Sequence, residues 1–186
     1  MELKKDKPVI YLISGKARNG KDTCASFIEK YYNNNNKKNI ILQFSSYIKQ
    51  YASKISGWDG SEETKPRELL QVLGTDVIRK SIDQKFFSKK LIDDIKVYSY
   101  FFDVIIVSDV RLKHEIDDLK EVFDNVYSIN IERTNFDNGL TLEQKNHITE
   151  KDLDDYTKHD YKILNDSDLD SFNNKVIDML KEIDKK

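Results

Sequence analysis

The sequence predicts an α/β fold, three layers deep (α/β/α), with helices covering both faces of a mostly parallel five-stranded sheet. Three observations carry that prediction. Short continuous apolar runs rich in β-branched residues, such as Val9-Ile10-Tyr11-Leu12-Ile13 and Val104-Ile105-Ile106-Val107, read as strands buried on both faces. These runs alternate along the chain with longer segments of helical apolar spacing, the pattern of a parallel sheet with crossover helices. The first run leads into Ser14-Gly15-Lys16-Ala17-Arg18-Asn19-Gly20-Lys21-Asp22-Thr23, where a Gly-x-x-x-x-Gly-Lys frame joins a strand to a helix.

In chain order, the helix from Asp22 to Tyr32 places Ala25, Phe27, Ile28 and Tyr31 on or near one face, and Asn33 to Asn36 is a solvated turn. Ile40 to Phe44 is the second strand. Ser45 or Ser46 is expected to cap the helix that carries Tyr47, Ile48, Tyr51 and Ile55. Pro66 suits the first turn of the next helix, with Leu69, Leu70, Leu73, Val77 and Ile78 as its apolar stripe. A further helix covers Lys85 to Tyr98. The third strand, Val104 to Val107, ends in Ser108-Asp109-Val110-Arg111, and Leu112 to Val122 is helical. Val126 to Ile131 is the fourth strand. Glu132 to Asp160 is polar and weakly patterned, with room for a short helix near Leu153. Tyr161 to Leu164 is the last strand and Leu169 to Ile183 the closing helix. In such sheets ligands bind beyond the carboxyl ends of the strands, so the residues just after each strand matter most.

Composition narrows the function classes. A chain of 186 residues without repeats or a composition break reads as one domain spanning residues 1–186. Charged residues are 34% of it but the net charge is only -2, which gives no pull toward a nucleic-acid polymer or a membrane. The single cysteine, Cys24, excludes an internal disulfide and a cysteine-based zinc cage, and it is expected to be packed. The three histidines, His114, His147 and His159, lack metal-ligand spacing; His114 reads as a surface helix residue. Met1 to Pro8 leads into an apolar run too short to cross a membrane, with no signal-peptide cleavage pattern, so a soluble, cytoplasmic protein is expected. Pairing into a homodimer stays open.

Following a buried strand and opening a helix, the Gly15 to Asp22 stretch reads as a phosphate-cradling P-loop. Gly15 and Gly20 permit a tight turn that points N–H groups inward, and the first helical turn adds unpaired donors and the positive end of the helix dipole. Lys21 would reach the β- and γ-phosphates of a nucleotide, while Lys16 and Arg18 raise the local positive potential. The usual next residue is Ser or Thr, whose hydroxyl binds Mg²⁺. Here Asp22 stands in that place and Thr23 comes one position late. Two readings of Asp22 stand: a carboxylate facing Mg²⁺ directly or through water, or an acid that complements the helix N-terminus. Thr23 is a further candidate oxygen.

The loop "SGKARNGKDT", the block "LLQVLGTDVIRK" (Leu69 to Lys80) and the block "VSDVRLKHEI" (Val107 to Ile116) together resemble the phage-type deoxynucleoside monophosphate kinases. That family commonly has Gly-Lys-Asp-Thr at this point of the loop. His147-Ile148-Thr149-Glu150 and Asp160 to Asn165 fit as well, so the resemblance spans nearly the whole chain in order. The layout is also similar to that of animal-type phosphomevalonate kinases. The resemblance implies a P-loop NTPase fold with a lid segment, use of ATP and Mg²⁺, and transfer of the γ-phosphoryl to a (deoxy)nucleoside monophosphate. The alternative acceptors are phosphomevalonate and dephospho-coenzyme A.

Phosphoryl transfer needs positioning and charge neutralisation. Arg67, Arg79, Arg111 and Arg133 are the candidate cations, since a guanidinium grips phosphate oxygens bidentately. Arg111 lies just past the third strand and matches the family's Asp-Val-Arg, and Arg79 falls in the block resembling the acceptor-site helix. Acceptor-binding helices are expected over about 46–98. Asp109 can orient water on Mg²⁺ or accept a proton, or it can simply cap the helix beginning near Leu112. Glu132 to about residue 158 has the length and polarity of a lid, with Arg133, Lys145 and His147 as its cations. By analogy, Asn165 to Asp168 would hold the adenine.

Two rival readings concern other classes. Thr157-Lys158-His159-Asp160 imitates a guanine-reading motif, but it precedes a strand rather than following one, at the wrong end of the sheet. A nucleotide-binding regulator without turnover is opposed by the presence of Lys21, Asp109 and Arg111. The aromatics Tyr47, Tyr51, Trp58, Phe86 and Phe87 fall in segments that should build the acceptor pocket. At helical spacing they are better read as core, with one or two available to stack a base.

Overall fold

The computed structural model describes residues 7–134 and 136–185. The Met1 to Asp6 part of the stretch read above for a targeting signal lies outside them. Strands β1 (Val9–Ser14), β2 (Asn39–Leu42), β3 (Val104–Val110), β4 (Val126–Glu132) and β5 (Tyr161–Leu164) form one sheet in the order β2-β3-β1-β4-β5. Every pairing is parallel, so the sheet is wholly rather than mostly so.

Alternation along β1 explains the two-faced burial that its apolar run predicts. Tyr11 and Ile13 point to one face, where α1 (Lys21–Asn34) packs through Cys24, Ala25 and Ile28 and α8 (Leu169–Ile183) through Phe172, Val176 and Leu180. Ile10 and Leu12 point to the other face, against Leu91 and Ile95 of α4 (Phe86–Tyr98) and Ile116 and Leu119 of α5 (Lys113–Val122). All four β1 side chains are 0% exposed, and each such burial is worth roughly 1.5–3 kcal/mol.

Several elements differ from the sequence reading. Strand β2 stops at Leu42, because Phe44 already has helical dihedrals and leads into α2 (Ser45–Ser56). Neither Ser45 nor Ser46 caps that helix. Asp109 does so from across the sheet: its Oδ1 accepts the N–H of Phe44 at 2.8 Å and its Oδ2 that of Ser45 at 2.9 Å. Tyr51 and Ile55, expected on the apolar face of α2, are exposed, and Ala52 is the residue α2 buries.

After α3 (Arg67–Gln71) the chain widens into a π-helix, Val72–Ile82. Its hydrogen bonds run over five residues instead of four, so Leu73 and Ile78 share the buried face while Val77 turns out to 40% exposure. An α-helical stripe through Val77 was therefore the wrong period. Finally, β3 continues through Ser108 and Asp109 to Val110, which pairs with Ser14 after a register shift. Asp109 thus sits within the last turn of pleat rather than after the strand. Between β4 and β5 lie two short helices, α6 (Leu142–Asn146) and α7 (Ile148–Lys151), ahead of Leu153 rather than at it.

Candidate active site

The loop between β1 and α1 is held by contacts that only its glycines and one asparagine allow. Gly15 has φ +141° and a Cβ there would stand 2.5 Å from the carbonyl oxygen of Ile131, so the end of β4 approaches the loop directly. Asn19 donates from Nδ2 to the same oxygen at 2.9 Å, and Asn165 donates to the Asn19 carbonyl at 3.0 Å. Gly20, at φ +103°, opens α1 without a side-chain cap and leaves the first-turn amides unpaired. Lys21 is 7% exposed and its ammonium donates to the carbonyls of Gly15 (2.8 Å) and Lys16 (2.9 Å), which leaves one of its three donors. Burial, then the nearby charge of Arg111, lowers its pKa to about 8.

A cleft of about 480 Å³ lies over the carboxyl ends of β1, β2 and β3. Ala17, Arg18, Lys21 and Asp22 line it from the loop, Asp109 and Arg111 from β3 and its end, and Arg79 from the π-helix. The structure therefore brings together seven of the residues singled out in the sequence. Gly15, Lys16, Asn19 and Arg133 line an adjoining cleft of about 370 Å³, which shares Arg111, Thr149 and Glu150 with the first.

Several lining residues were not singled out as site candidates in the sequence. Glu115 is one: a 1%-exposed carboxylate whose Oε2 accepts the N–H groups of Arg111 (2.8 Å) and Leu112 (3.0 Å) and whose Oε1 accepts from Arg79 at 3.2 Å. Glu115, not Asp109, thus serves the start of α5. Burial pushes its pKa up to about 7. Glu150, on α7, is another. Its Oε2 accepts the backbone N–H of Ala17 at 3.0 Å and its Oε1 the guanidinium of Arg111. Gln43 donates to the Ser108 hydroxyl at 2.9 Å, and Lys49 and Lys65 add positive charge to the cleft wall. The only available signal for Glu150 was its place in the His-Ile-Thr-Glu block.

The segment from β4 to β5 lies over the phosphate loop. Besides the Glu150 contact, Lys16 pairs with Asp154 at 2.9 Å, Arg18 donates to the Asn138 carbonyl at 2.8 Å, and the Lys113 amide donates to Asp152 at 2.7 Å.

Other sequence candidates are placed elsewhere. Arg67 is exposed and paired with Glu62 rather than facing the cleft. Arg133 is exposed, with its guanidinium 3.9 Å from the centre of the Phe136 ring. Thr23 and Gly20 do not line the cleft, and Asn165 braces the loop through Asn19. Asp166 pairs with Lys175 and Asp168 caps α8. None of Tyr47, Tyr51, Trp58, Phe86 and Phe87 lines the cleft. Phe87 belongs to the main core, Trp58 to a satellite cluster with Ala52 and Leu73, and the Tyr47 hydroxyl donates to Asp94. The aromatic residue of the cleft wall, among the described residues, is Phe44, itself 3% exposed. His114 is half-buried rather than on the surface, and Cys24 is packed, with burial raising its thiol to about 12. Asp160 accepts the Ser128 amide at the start of β5, the opposite end of the sheet from a guanine site.

The fold is that of a P-loop kinase. The Mycobacterium tuberculosis APS kinase in complex with AMPPNP and APS superposes with a TM-score of 0.61 at 13% identity, covering 94% of this chain and 98% of that one. The shikimate kinase of Bacteroides thetaiotaomicron does so with a TM-score of 0.50 at 13% identity, covering 93% and 98%. At that identity the likeness shows the fold alone. A search of curated protein sequences finds no match. The sequence model of the deoxynucleotide monophosphate kinases matches residues 31–176, and the chain belongs to that family. It is a phosphotransferase that acts on a nucleotide or another small molecule. Among the described residues no helix is long and apolar enough to cross a membrane.

Proposed function

We propose that this kinase transfers the γ-phosphoryl group of ATP, with Mg²⁺, to a (deoxy)nucleoside monophosphate, as a single cytoplasmic domain. One observation carries the reading: the Lys21 ammonium and the guanidinium groups of Arg79 and Arg111 line one cleft, with the amides of a glycine loop on its floor. Donor and acceptor phosphates meeting there would find their charge matched from both sides.

In this reading Lys21 and the amides from Gly15 to Asp22 hold the donor phosphates. Arg111 and Arg79 bind the acceptor phosphate. The Ala17 N–H and the Arg111 guanidinium now share the Glu150 carboxylate, and a phosphoryl oxygen taking its place would meet the same two donors. The segment over the loop keeps water, the competing acceptor, away from the transferring group.

The acids suit Mg²⁺. Asp22 is exposed on the cleft wall, and each oxygen of Asp109 accepts one amide and keeps a second lone pair. Mg²⁺ is typically held by one or two carboxylates together with substrate phosphates and water. When bound, the ion neutralises charge between the phosphates. Thr23, off the cleft, has no part in this.

The test is ADP release with a panel of nucleoside and deoxynucleoside monophosphates, phosphomevalonate and dephospho-coenzyme A. Stimulation by monophosphates is the expected result. None of the five aromatics of which one or two could have stacked a base lines the wall, which is what favours phosphomevalonate as the second reading. Its phosphorylation alone would overturn the nucleotide acceptor. ATP binding without turnover on any acceptor would mark a regulator. Lys21→Ala should abolish turnover in a folded protein.

A further inference from the structure

A buried acid at the start of α5 is an unusual choice. Glu115 is 1% exposed, and an apolar residue would pack there without the cost of desolvating a carboxylate. No side chain is available at the N-cap position itself, because that residue is Leu112. What Glu115 adds beyond a helix cap is its second oxygen. Oε2 is taken up by the two amides at the end of β3, while Oε1 reaches across to Arg79 on the π-helix.

Arg79 is held on further sides. Its Nη1 donates to the Gly74 carbonyl at 3.1 Å and its guanidinium lies 4.7 Å from the centre of the Phe87 ring. Gly74 is packed tightly enough that a Cβ there would stand 3.0 Å from Ile48. The π-helical turn thus delivers Arg79 to Glu115, and Glu115 joins it to the main chain of Arg111.

We propose that Glu115 is a positioning residue for the acceptor phosphate: one buried carboxylate ties the Arg79 guanidinium to the backbone of Arg111, so that the two cations face the cleft at a set separation. The assignment of those arginines to the acceptor rests on the function proposed above. Glu115 acts through them and does not touch the phosphate. A carboxylate is required because it accepts from every side. An amide in its place would turn N–H donors toward either the guanidinium or the two backbone donors.

The experiment measures KM for ATP and for the acceptor separately, in Glu115→Gln and Glu115→Asp, using whichever phosphorylated acceptor the wild type accepts. The Gln variant should raise acceptor KM about tenfold or more and leave ATP KM within about twofold. In an Arg79→Ala background the same change should add little, since the group it positions is gone. Glu115→Asp keeps the charge but draws it back by one carbon, and should move acceptor KM in the same direction; it serves as the test if the Gln variant fails to fold. An unchanged acceptor KM, an equal rise in both KM values, or full additivity with Arg79→Ala would overturn the inference. Failure of the proposed function shows in the wild type instead, as ADP release that no phosphorylated acceptor stimulates.

Discussion

The Arg111 guanidinium donates to Oε1 of Glu150, whose other oxygen accepts the N–H of Ala17 in the phosphate loop. One carboxylate thereby bridges the loop after β1 and the residue that follows β3. It is mostly buried, with the side chain 11% exposed, so it competes for those donors in a medium where charge–charge contacts are weakly screened.

Removing that competitor should strengthen nucleotide binding and weaken the fold. Glu150→Gln is expected to tighten ATP binding about three- to tenfold and to lower stability by about 1–3 kcal/mol, the range for a lost hydrogen bond to a charged group. Calorimetric titration and denaturant unfolding check the two halves. Weaker ATP binding in the variant would show that Glu150 supports the site instead of competing for it.

The ammonium of Lys21 should make ATP binding depend on pH. Burial and Arg111 hold its pKa at about 8, whereas bound phosphate favours the charged form. Above pH 8 binding must take up a proton, so affinity should fall about tenfold per pH unit, and Lys21→Met should be flat. In the unfolded chain the lysine keeps its proton to ~10.4. The unfolded state then binds more protons between those values, so this group makes stability rise with pH across that window. Melting the wild type and Lys21→Met at a series of pH values measures the difference.

Asp109 joins β3 to the first amides of α2, so its loss should be felt in the fold as well as in turnover. Asp109→Ala is expected to cost about 1 kcal/mol or more, as for other lost N-caps. Asp109→Asn, which keeps one acceptor oxygen, should recover part of the stability. If Asp109 also holds Mg²⁺, Asn should leave turnover low; full turnover in Asp109→Asn would reduce the residue to a cap.

The loop glycines separate strain from collision. Gly15→Ala combines φ +141° with a Cβ 2.5 Å from a backbone oxygen, whereas Gly57→Ala meets positive φ alone, with no atom within 4 Å. The first should cost ~3 kcal/mol or more and abolish ATP binding; the second should cost only ~1 kcal/mol and leave binding intact. Comparable losses in the two would mean that β4 gives way to the added carbon.

What was legible in the sequence was local. The β-branched runs placed β1 and β5 to within a residue, the apolar stripe of α8 matched to its ends, and the glycine frame marked the loop. The errors came where a neighbour distant in sequence intervened. Ser45 and Ser46 look like caps, yet the helix opens a residue earlier and its first amides, those of Phe44 and Ser45, go to Asp109, more than 60 residues further along. Val77 looked buried because α-helical spacing was assumed, while the chain widens into a π-helix there. The five aromatics were better legible: read as core in preference to base-stacking residues, they stay off the cleft, with Phe87 and Trp58 buried and Tyr51 alone turned to solvent.

Taken alone, then, the order of residues determined the strand-and-helix alternation, the phosphate loop and the arginines worth weighing, since periodicity and turn chemistry act over a few residues. Tertiary structure alone decided which carboxylate meets which partner. Glu115 with Arg79, Asp109 with α2 and Glu150 with Ala17 and Arg111 are pairings between separate elements, and a buried acid takes whichever donors packing brings within reach.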